Sequence, residues 1–366
     1  MFTNLHYKLG LSFLFGIGPK KAAVLVSKLG SPEAVFTEDS KYIQQLTGMS
    51  MNVIRQMDRK KALEKADQQM EFLDRQNIQT HFYMDLNYPR RLRQCDDAPL
   101  VLYSKGNFDP NPTRTVAVVG TRSSTDYGRG LCEELIQEFQ GADIQVVSGM
   151  AFGIDICAHQ LCVKHGIQTI GVLGHGLDRI YPRLHKRTAE QMLENGGLLT
   201  EFIPGTQPDR ENFPMRNRIV AGMTDATIVV ESKGTGGSLI TAELANDYNR
   251  DVFAFPGNVG QVYSEGCNEL IRRNKAHLII HGKQFLKEMG WQQVVESATG
   301  IQKQWFAELT DDERTVCEFL NGSDGEHIDV ICLGIKRSVS KISVLLFQLE
   351  MKGMVRTLPG KKYVLC

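Results

Sequence analysis

The sequence predicts an α/β protein built around a Rossmann-like, doubly wound and mostly parallel sheet. At Thr115–Gly128 an apolar, β-branched run stops at a glycine, a polar turn follows, and apolar residues then recur at helical spacing. This alternation of apolar strand and helix repeats from about residue 115 to 290, which is typical of a parallel sheet covered on both faces. The predicted strands are Val116–Val119, Gln145–Ser148, Thr169–Leu173, Leu198–Phe202, Ala226–Glu231, Val252–Phe255 and His277–Ile280.

Length and composition indicate several domains and no membrane segment. The chain has 366 residues, of which 42% are hydrophobic and 23% charged, and it contains no apolar run of transmembrane length. The N-terminus lacks the basic region and cleavage site of a signal peptide, and the cysteines show no zinc-binding spacing. We therefore expect a cytoplasmic protein without a metal site. Because the net charge is zero, any site for a polyanion must be a local arrangement of cations.

Two segments precede the Rossmann-like domain, which is predicted at residues 113–290. Residues 1–80 are predicted to form a small helical domain with a helix-hairpin-helix-like (SAM-like) pair around Gly16–Pro19. Such a pair either contacts a phosphate through its glycine N–H groups or serves only as scaffold. Residues 81–112 are a proline-rich connector, for which we expect an extended joint or an edge strand rather than a helix, with Leu100–Tyr103 as a candidate short strand.

The C-terminal segment, residues 305–366, is predicted to be a winged-helix domain that follows a linker at 290–305. Thr310 and Glu313 have the spacing of a capping box at the start of a helix. Two more helical patterns and a short β-hairpin come after it. The charges of this segment balance, so contact with DNA and contact with a protein both stay open.

Small and polar residues follow the predicted strands. They form the loops Ser148–Asp155, Gly174–Asp178, Thr200–Glu201, Ser232–Ser238 and Pro256–Asn258. Because the carboxyl ends of parallel strands share one edge of a sheet, we expect these loops to form one long site. Glycine there lets the backbone approach a ligand closely. None of the loops matches a Walker loop or the dinucleotide fingerprint.

Three arginines in or near this region predict a phosphate site. Arg122 lies in the turn after the first strand, beside a helix N-terminus, where a guanidinium suits an anion. The alternative role for Arg122 is an ion pair with a nearby carboxylate. Arg216 and Arg218 cannot share one helix face at two-residue spacing, so one is expected to face the site and the other to pair internally. Phe213, just before them, either joins the core or stacks on a base.

A set of segments in this order resembles the DNA-processing protein A (DprA/Smf) family. The segments are VAVVGTRSS, SGMAFGID with a following Ala-His, GVLGHGLD with a following Tyr-Pro, LLTEF, FPMRNRIVAG, GGSLITAELA and VFAFPG, and the match covers about residues 80–285. The resemblance implies a homodimeric Rossmann-like domain that binds single-stranded DNA. It also implies that the protein protects incoming DNA and loads the RecA recombinase during natural transformation and recombination. It implies no catalytic residue, cofactor or metal ion.

The residues expected to bind nucleic acid lie in the strand-end loops and at helix starts. Arg122 resembles the family's phosphate-pocket arginine, and Arg216–Arg218 resembles its strand-binding Arg-Asn-Arg element. The full expected set is Gly120, Arg122, Ser123, Ser148, Gly149, Gly153, Lys186, Phe213, Arg216, Asn217, Arg218, Gly236, Gly237 and Ser238.

A nucleotide-processing hydrolase is the alternative function, and a structural scaffold is a third. The loop Ser232–Ser238 with Glu243 is loosely similar to loops that such hydrolases place over a nucleoside phosphate. Against an enzyme, His159 has no paired Ser or Cys nucleophile and is expected to be a structural hydrogen-bonding residue. The strand-end loops are also poor in the converging carboxylates that a metal-dependent nuclease needs. We therefore expect no enzymatic activity.

Overall fold

The structure, a computed structural model, describes residues 3–292, 309–323, 325–358 and 361–365. These residues form two compact units, which lie on either side of 293–308 in the sequence. Most of the predicted linker at 290–305 therefore lies outside the described residues. Within the described ranges, no helix combines the length and apolar character that crossing a membrane requires.

The first unit begins with helices and continues as an α/β structure. Its helices are α1 (Asn4–Ser12), α2 (Pro19–Leu29), α3 (Ala34–Thr37), α4 (Ser40–Thr47), α5 (Met51–Gln56), α6 (Arg59–Gln76), α7 (Arg90–Arg93), α8 (Asp126–Glu138), α9 (Ile154–His165), α10 (Lys186–Met192), α11 (Asn212–Gly222), α12 (Gly237–Asp247), α13 (Glu265–Arg272) and α14 (Gly282–Glu288). Its strands are β1 (Gln79–Phe82), β2 (Val101–Asn107), β3 (Arg114–Val119), β4 (Ile144–Gly149), β5 (Thr169–Val172), β6 (Gly196–Thr200), β7 (Ala226–Val229), β8 (Asp251–Ala254) and β9 (His277–Leu278).

These strands form one sheet in the order β1-β2-β6-β5-β4-β3-β7-β8-β9. All neighbours from β6 to β9 are parallel, whereas β1 and β2 add to one side as antiparallel strands. From β3 the chain adds β4, β5 and β6 in turn on one side of the sheet, and it then adds β7, β8 and β9 on the other side of β3. The strand order therefore reverses between β3 and β7, and the predicted doubly wound, mostly parallel sheet is confirmed.

The apolar strands are explained by burial on both faces. Successive side chains of a strand point to opposite faces. Val116 and Val118 of β3 join a core that includes Leu135 of α8. Ala117 and Val119 join a second core, which includes residues of α11 and α12. Because both faces are covered by helices, these strands are apolar throughout rather than alternating.

The proline-rich segment differs from the prediction. The short helix α7 begins directly after Pro89, where the missing N–H breaks no helical hydrogen bond. Strand β2, Val101–Asn107, contains no proline and is paired on both sides, with β1 and with β6. The expectation of an edge strand and no helix in this segment is therefore wrong.

The N-terminal helices pack on the β1–β2 end of the sheet. Leu25 and Ile43 share a buried core with Val101 and Tyr103 of β2. The predicted hairpin is present, with Gly18 at the N-cap of α2 and Pro19 as its first residue.

The second unit is a winged helix, as predicted. It contains α15 (Asp311–Leu320), β10 (Glu326–His327), α16 (Ile328–Ile335), α17 (Val339–Met351), β11 (Val355–Leu358) and β12 (Lys362–Leu365), with the strands in the order β10-β12-β11. Thr310 and Glu313 form the predicted capping box at the start of α15. The core of the unit is made by apolar faces of all three helices.

Candidate nucleic-acid interface

A cavity of about 660 Å³ opens at the carboxyl ends of the strands. Its walls are the loops after β3, β4, β5, β6 and β7 and the first turns of α11 and α12. It includes the point between β3 and β7 where the strand order reverses, which is where open α/β sheets bind ligands. Of the residues expected to bind nucleic acid, those that line it are Gly120, Arg122, Ser123, Gly149, Phe213, Arg216, Asn217, Gly236, Gly237 and Ser238.

The turn that carries Arg122 is held from two sides. The buried carboxylate of Glu231, which follows β7, accepts hydrogen bonds from the Thr125 N–H at 2.9 Å and the Thr125 hydroxyl at 2.6 Å. On the other side, the N–H of Ile154 at the start of α9 donates to the Thr121 carbonyl at 3.2 Å. The backbone on both sides of Arg122 is therefore fixed by its neighbours.

The side chain of Arg122 is exposed and extends into the cavity. Its guanidinium carbon lies 5.4 Å from the centre of the Phe213 ring, a cation–π contact. Across the part of the chain that the structure describes, no carboxylate lies within 4.0 Å of it. The alternative role of Arg122, an internal ion pair, therefore has no partner among those residues.

Arg216 and Asp155 form the floor of the cavity. The two side chains are only 4% and 7% exposed, and both approach Gly149 at the end of β4. A methyl group on Gly149 would lie 2.3 Å from the Arg216 guanidinium and 2.4 Å from the Asp155 carboxylate, so only glycine fits between them. Burial raises the pKa of Asp155, while the positive charges of Arg216 and Arg122 oppose that rise. Burial likewise lowers the pKa of Arg216, against the effect of Asp155.

The start of α12 forms the wall opposite β4. Gly236 is the N-cap of this helix, and both Gly236 and Gly237 are exposed to the cavity. Asn217 on α11 donates to the Gly237 carbonyl at 3.2 Å, and Ser238 donates to the Ser232 hydroxyl at 2.9 Å. A helix N-terminus with free N–H groups favours an anion.

Four residues from the expected set lie outside the cavity lining. Ser148 is buried in β4, where its hydroxyl donates to the Val118 carbonyl at 2.6 Å. Gly153 lies behind the Arg122 turn with a φ of +80°, and a side chain there would collide with the Thr121 carbonyl. The other two are cations with partners: Lys186 is 3.7 Å from Glu190, and Arg218 pairs with Glu201.

The pair Arg216 and Arg218 divides as the spacing predicts. Arg216 lines the cavity, whereas Arg218 points away from it and also donates to the Asp97 carbonyl at 2.5 Å. Burial raises the pKa of Glu201, and the charge of Arg218 beside it opposes that rise.

Several lining residues were not identified from the sequence. Arg210 and Lys233 are exposed cations of the cavity, and Tyr181 adds an aromatic ring. Both cations could have been predicted from the sequence, because each is a basic residue in a loop that leads into a helix of the predicted site. His175, which lies in the predicted site loop Gly174–Asp178, is a buried wall residue whose ring nitrogen lies 2.9 Å from the Gly176 carbonyl. In the described ranges, no group of three or more His, Cys, Asp or Glu side chains is placed to hold a metal ion.

His159 supports the floor from below through two buried hydrogen bonds. Its ring nitrogens lie 2.7 Å from the Gly149 carbonyl and 2.7 Å from the Thr169 hydroxyl. Burial lowers the pKa of His159 to about 4, against the hydrogen bond to Gly149.

We expect His159 to contribute to acid unfolding. Because its pKa is lower in the folded than in the unfolded state, the unfolded chain takes up the proton first. Its contribution is complete above the unfolded pKa of about 6.5 and is lost as the pH falls toward 4, by about 3 kcal/mol in all. NMR titration of the histidine rings checks this directly. A His159 ring that protonates near pH 6.5 in the folded protein would contradict it.

Two family models match the chain in the same places as its two units. The model described as DNA recombination-mediator protein A matches residues 79–290, and the DprA winged helix domain matches residues 302–361. Protein Smf of Synechocystis is 34% identical in an alignment of 311 residues, which covers 76% of this chain and 78% of that protein. The DNA processing protein DprA of Streptococcus pneumoniae is 42% identical over 205 residues, 56% of this chain and 72% of that protein.

Solved structures show the same similarity. The X-ray structure of DNA processing protein A from Streptococcus pneumoniae has a TM-score of 0.62 and 34% identity, covering 78% of this chain and 98% of that one. DNA processing protein A from Helicobacter pylori, a protein with a single-stranded DNA binding mode, has a TM-score of 0.53 and 28% identity, covering 58% and 95%. Together with the matching family model over residues 79–290, these similarities show that the chain belongs to the DNA recombination-mediator protein A (DprA/Smf) family.

Proposed function

We propose that this chain is a cytoplasmic, non-enzymatic single-stranded DNA-binding protein, and that the cavity at the strand ends binds the DNA. In this role it protects incoming DNA and loads the RecA recombinase onto it during natural transformation and recombination. Family membership and the single-stranded DNA binding mode of the Helicobacter pylori relative support the proposal.

The observation that carries the proposal is the charge of the cavity lining. Four cations, Arg122, Arg210, Arg216 and Lys233, line it together with a single carboxylate, Asp155. The whole chain has a net charge of zero, so this local excess of positive charge is what attracts a polyanion. The free N–H groups at the start of α12 add to the same effect.

The shape of the cavity favours a single strand over a duplex. Its walls are loops and helix N-termini rather than the side of a helix that enters a major groove. Two rings in the lining, Phe213 and Tyr181, offer surfaces to unpaired bases. Stacking on such rings is available to the bases of a single strand, whereas duplex bases already stack on each other.

Fluorescence anisotropy with a labelled oligonucleotide and with its blunt duplex of equal length tests the proposal. We expect the single strand to bind more tightly at every salt concentration. Equal or tighter binding of the duplex would contradict the proposed site. Incubation with nucleoside monophosphates tests the alternative hydrolase, because release of free base would show enzymatic activity.

The partners belong to the same proposal. We infer a homodimer that forms through the Rossmann-like domain and a contact with RecA. Sedimentation velocity measures the first, and the lag before RecA assembles on single-stranded DNA measures the second. A monomer at micromolar concentration, or a lag that this protein does not shorten, would contradict the respective partner.

A further inference from the structure

Aromatic rings continue the cavity wall beyond Arg122. The Tyr181 and Phe213 rings have centroids 6.2 Å apart and planes inclined by 31°, which is within the range of aromatic contact. The Arg122 guanidinium stands over the same Phe213 ring. Arg122, Phe213 and Tyr181 thus form a continuous row of flat groups, which we call the stacking row.

The Tyr181 ring is left open to the cavity. The residue is 48% exposed. Phe152, the other exposed aromatic residue of the lining, differs because its ring packs edge-to-face on His185 with centroids 4.9 Å apart. An uncovered ring next to several cations suits a ligand that combines flat apolar groups with negative charge.

We propose that Tyr181 is a base-stacking residue that makes the cavity select unpaired nucleobases over other polyanions. This inference rests on the proposed function. Cations alone bind any polyanion, including duplex DNA, because they contact only phosphate. Stacking requires a base whose face is free, so Tyr181 adds the discrimination that the cations lack.

The test compares an oligothymidylate with an abasic oligomer of equal length, which keeps the phosphates and sugars but has no bases. We expect the wild-type chain to prefer the oligothymidylate. Tyr181→Leu is expected to weaken oligothymidylate binding about 5- to 150-fold, the loss of one stacked base, and to leave abasic binding and the salt dependence unchanged. Tyr181→Phe is expected to bind as the wild type does.

Tyr127→Leu is the matched control, because Tyr127 is similarly exposed at 51% but lines a separate cavity. It is expected to leave both affinities unchanged. Tyr181→Trp provides a second measurement that does not depend on Tyr181→Leu being folded. Its added indole fluorescence, taken relative to the wild type, is expected to be quenched by the oligothymidylate and not by the abasic oligomer.

Three results would overturn the inference: wild-type affinity in Tyr181→Leu, an equal loss for both oligomers, or an equal loss in Tyr127→Leu. Absence of quenching in Tyr181→Trp at saturating oligothymidylate would overturn it as well. A wild-type chain that binds neither oligomer would instead overturn the proposed function, so the two failures are distinguishable.

Discussion

Replacing Arg122 by alanine is expected to weaken binding of single-stranded DNA about tenfold or more with little change in melting temperature. Loss of one charge-assisted contact costs about 1.5–3 kcal/mol, which corresponds to that change in affinity. Folding is little affected because the side chain is exposed and makes no ion pair among the described residues. Arg122→Lys is expected to recover only part of the affinity, since an ammonium lacks the bidentate fork of a guanidinium.

Anisotropy titration and thermal unfolding of the same Arg122→Ala sample check both parts of this expectation. Arg218→Ala is the informative comparison, because Arg218 pairs with Glu201 outside the cavity. That variant is expected to lose stability with little change in affinity. The reverse pattern, with Arg122 affecting stability and Arg218 affecting binding, would contradict the placement of the two side chains.

Arg216→Met is expected to lower the free energy of unfolding by about 1–3 kcal/mol at neutral pH, because the guanidinium donates to the buried Val172 carbonyl and its charge acts on the Asp155 carboxylate. Arg216 and Asp155 are both buried and share the space beside Gly149. Without the guanidinium, the Asp155 carboxylate loses the charge that opposes its desolvation. Its pKa then rises further, so the destabilisation is largest at neutral pH and shrinks as the carboxyl group becomes protonated in acid.

Chemical denaturation of Arg216→Met, Asp155→Asn and the double variant measures this coupling. The double variant removes both charges and is expected to recover much of the stability lost in Arg216→Met. Additive losses in the two single variants, or a fully stable Arg216→Met, would show that Arg216 and Asp155 do not stabilise each other.

Local sequence patterns were sufficient for most of the sheet. The strands from β3 to β8 are short apolar runs between helical patterns, because they are buried on both faces, whereas both residues of the edge strand β9 are exposed. The place of β2 in the strand order of the sheet could not be predicted in this way. This strand pairs with β6, so that Tyr103 lies opposite Thr200. A local sequence pattern cannot predict a pairing between residues so far apart in the chain.

The location of the site could be predicted from the sequence, but not the full set of side chains that line it. Parallel strands bring their following loops to one edge, which is why the loops that carry Arg122 and Gly237 meet. Loops lack the periodicity that shows which way a side chain points, so Arg210, Lys233 and Tyr181 were missed. Helical spacing predicts that Arg216 and Arg218 of α11 lie on different faces of the helix. Only the position of Glu201 in the structure shows that Arg218 is the one that pairs internally.

The salt dependence of single-stranded DNA binding tests most directly whether the cavity binds phosphate through Arg122. The slope of log affinity against log salt concentration is negative, and its magnitude is expected to decrease by about 0.7 in Arg122→Ala, the share of one phosphate contact on a single strand. Arg272→Ala removes an equal charge from a side chain that is 69% exposed and outside the cavity lining, and it is expected to keep the wild-type slope. An unchanged slope in Arg122→Ala, or an equal decrease in Arg272→Ala, would contradict this account of the site.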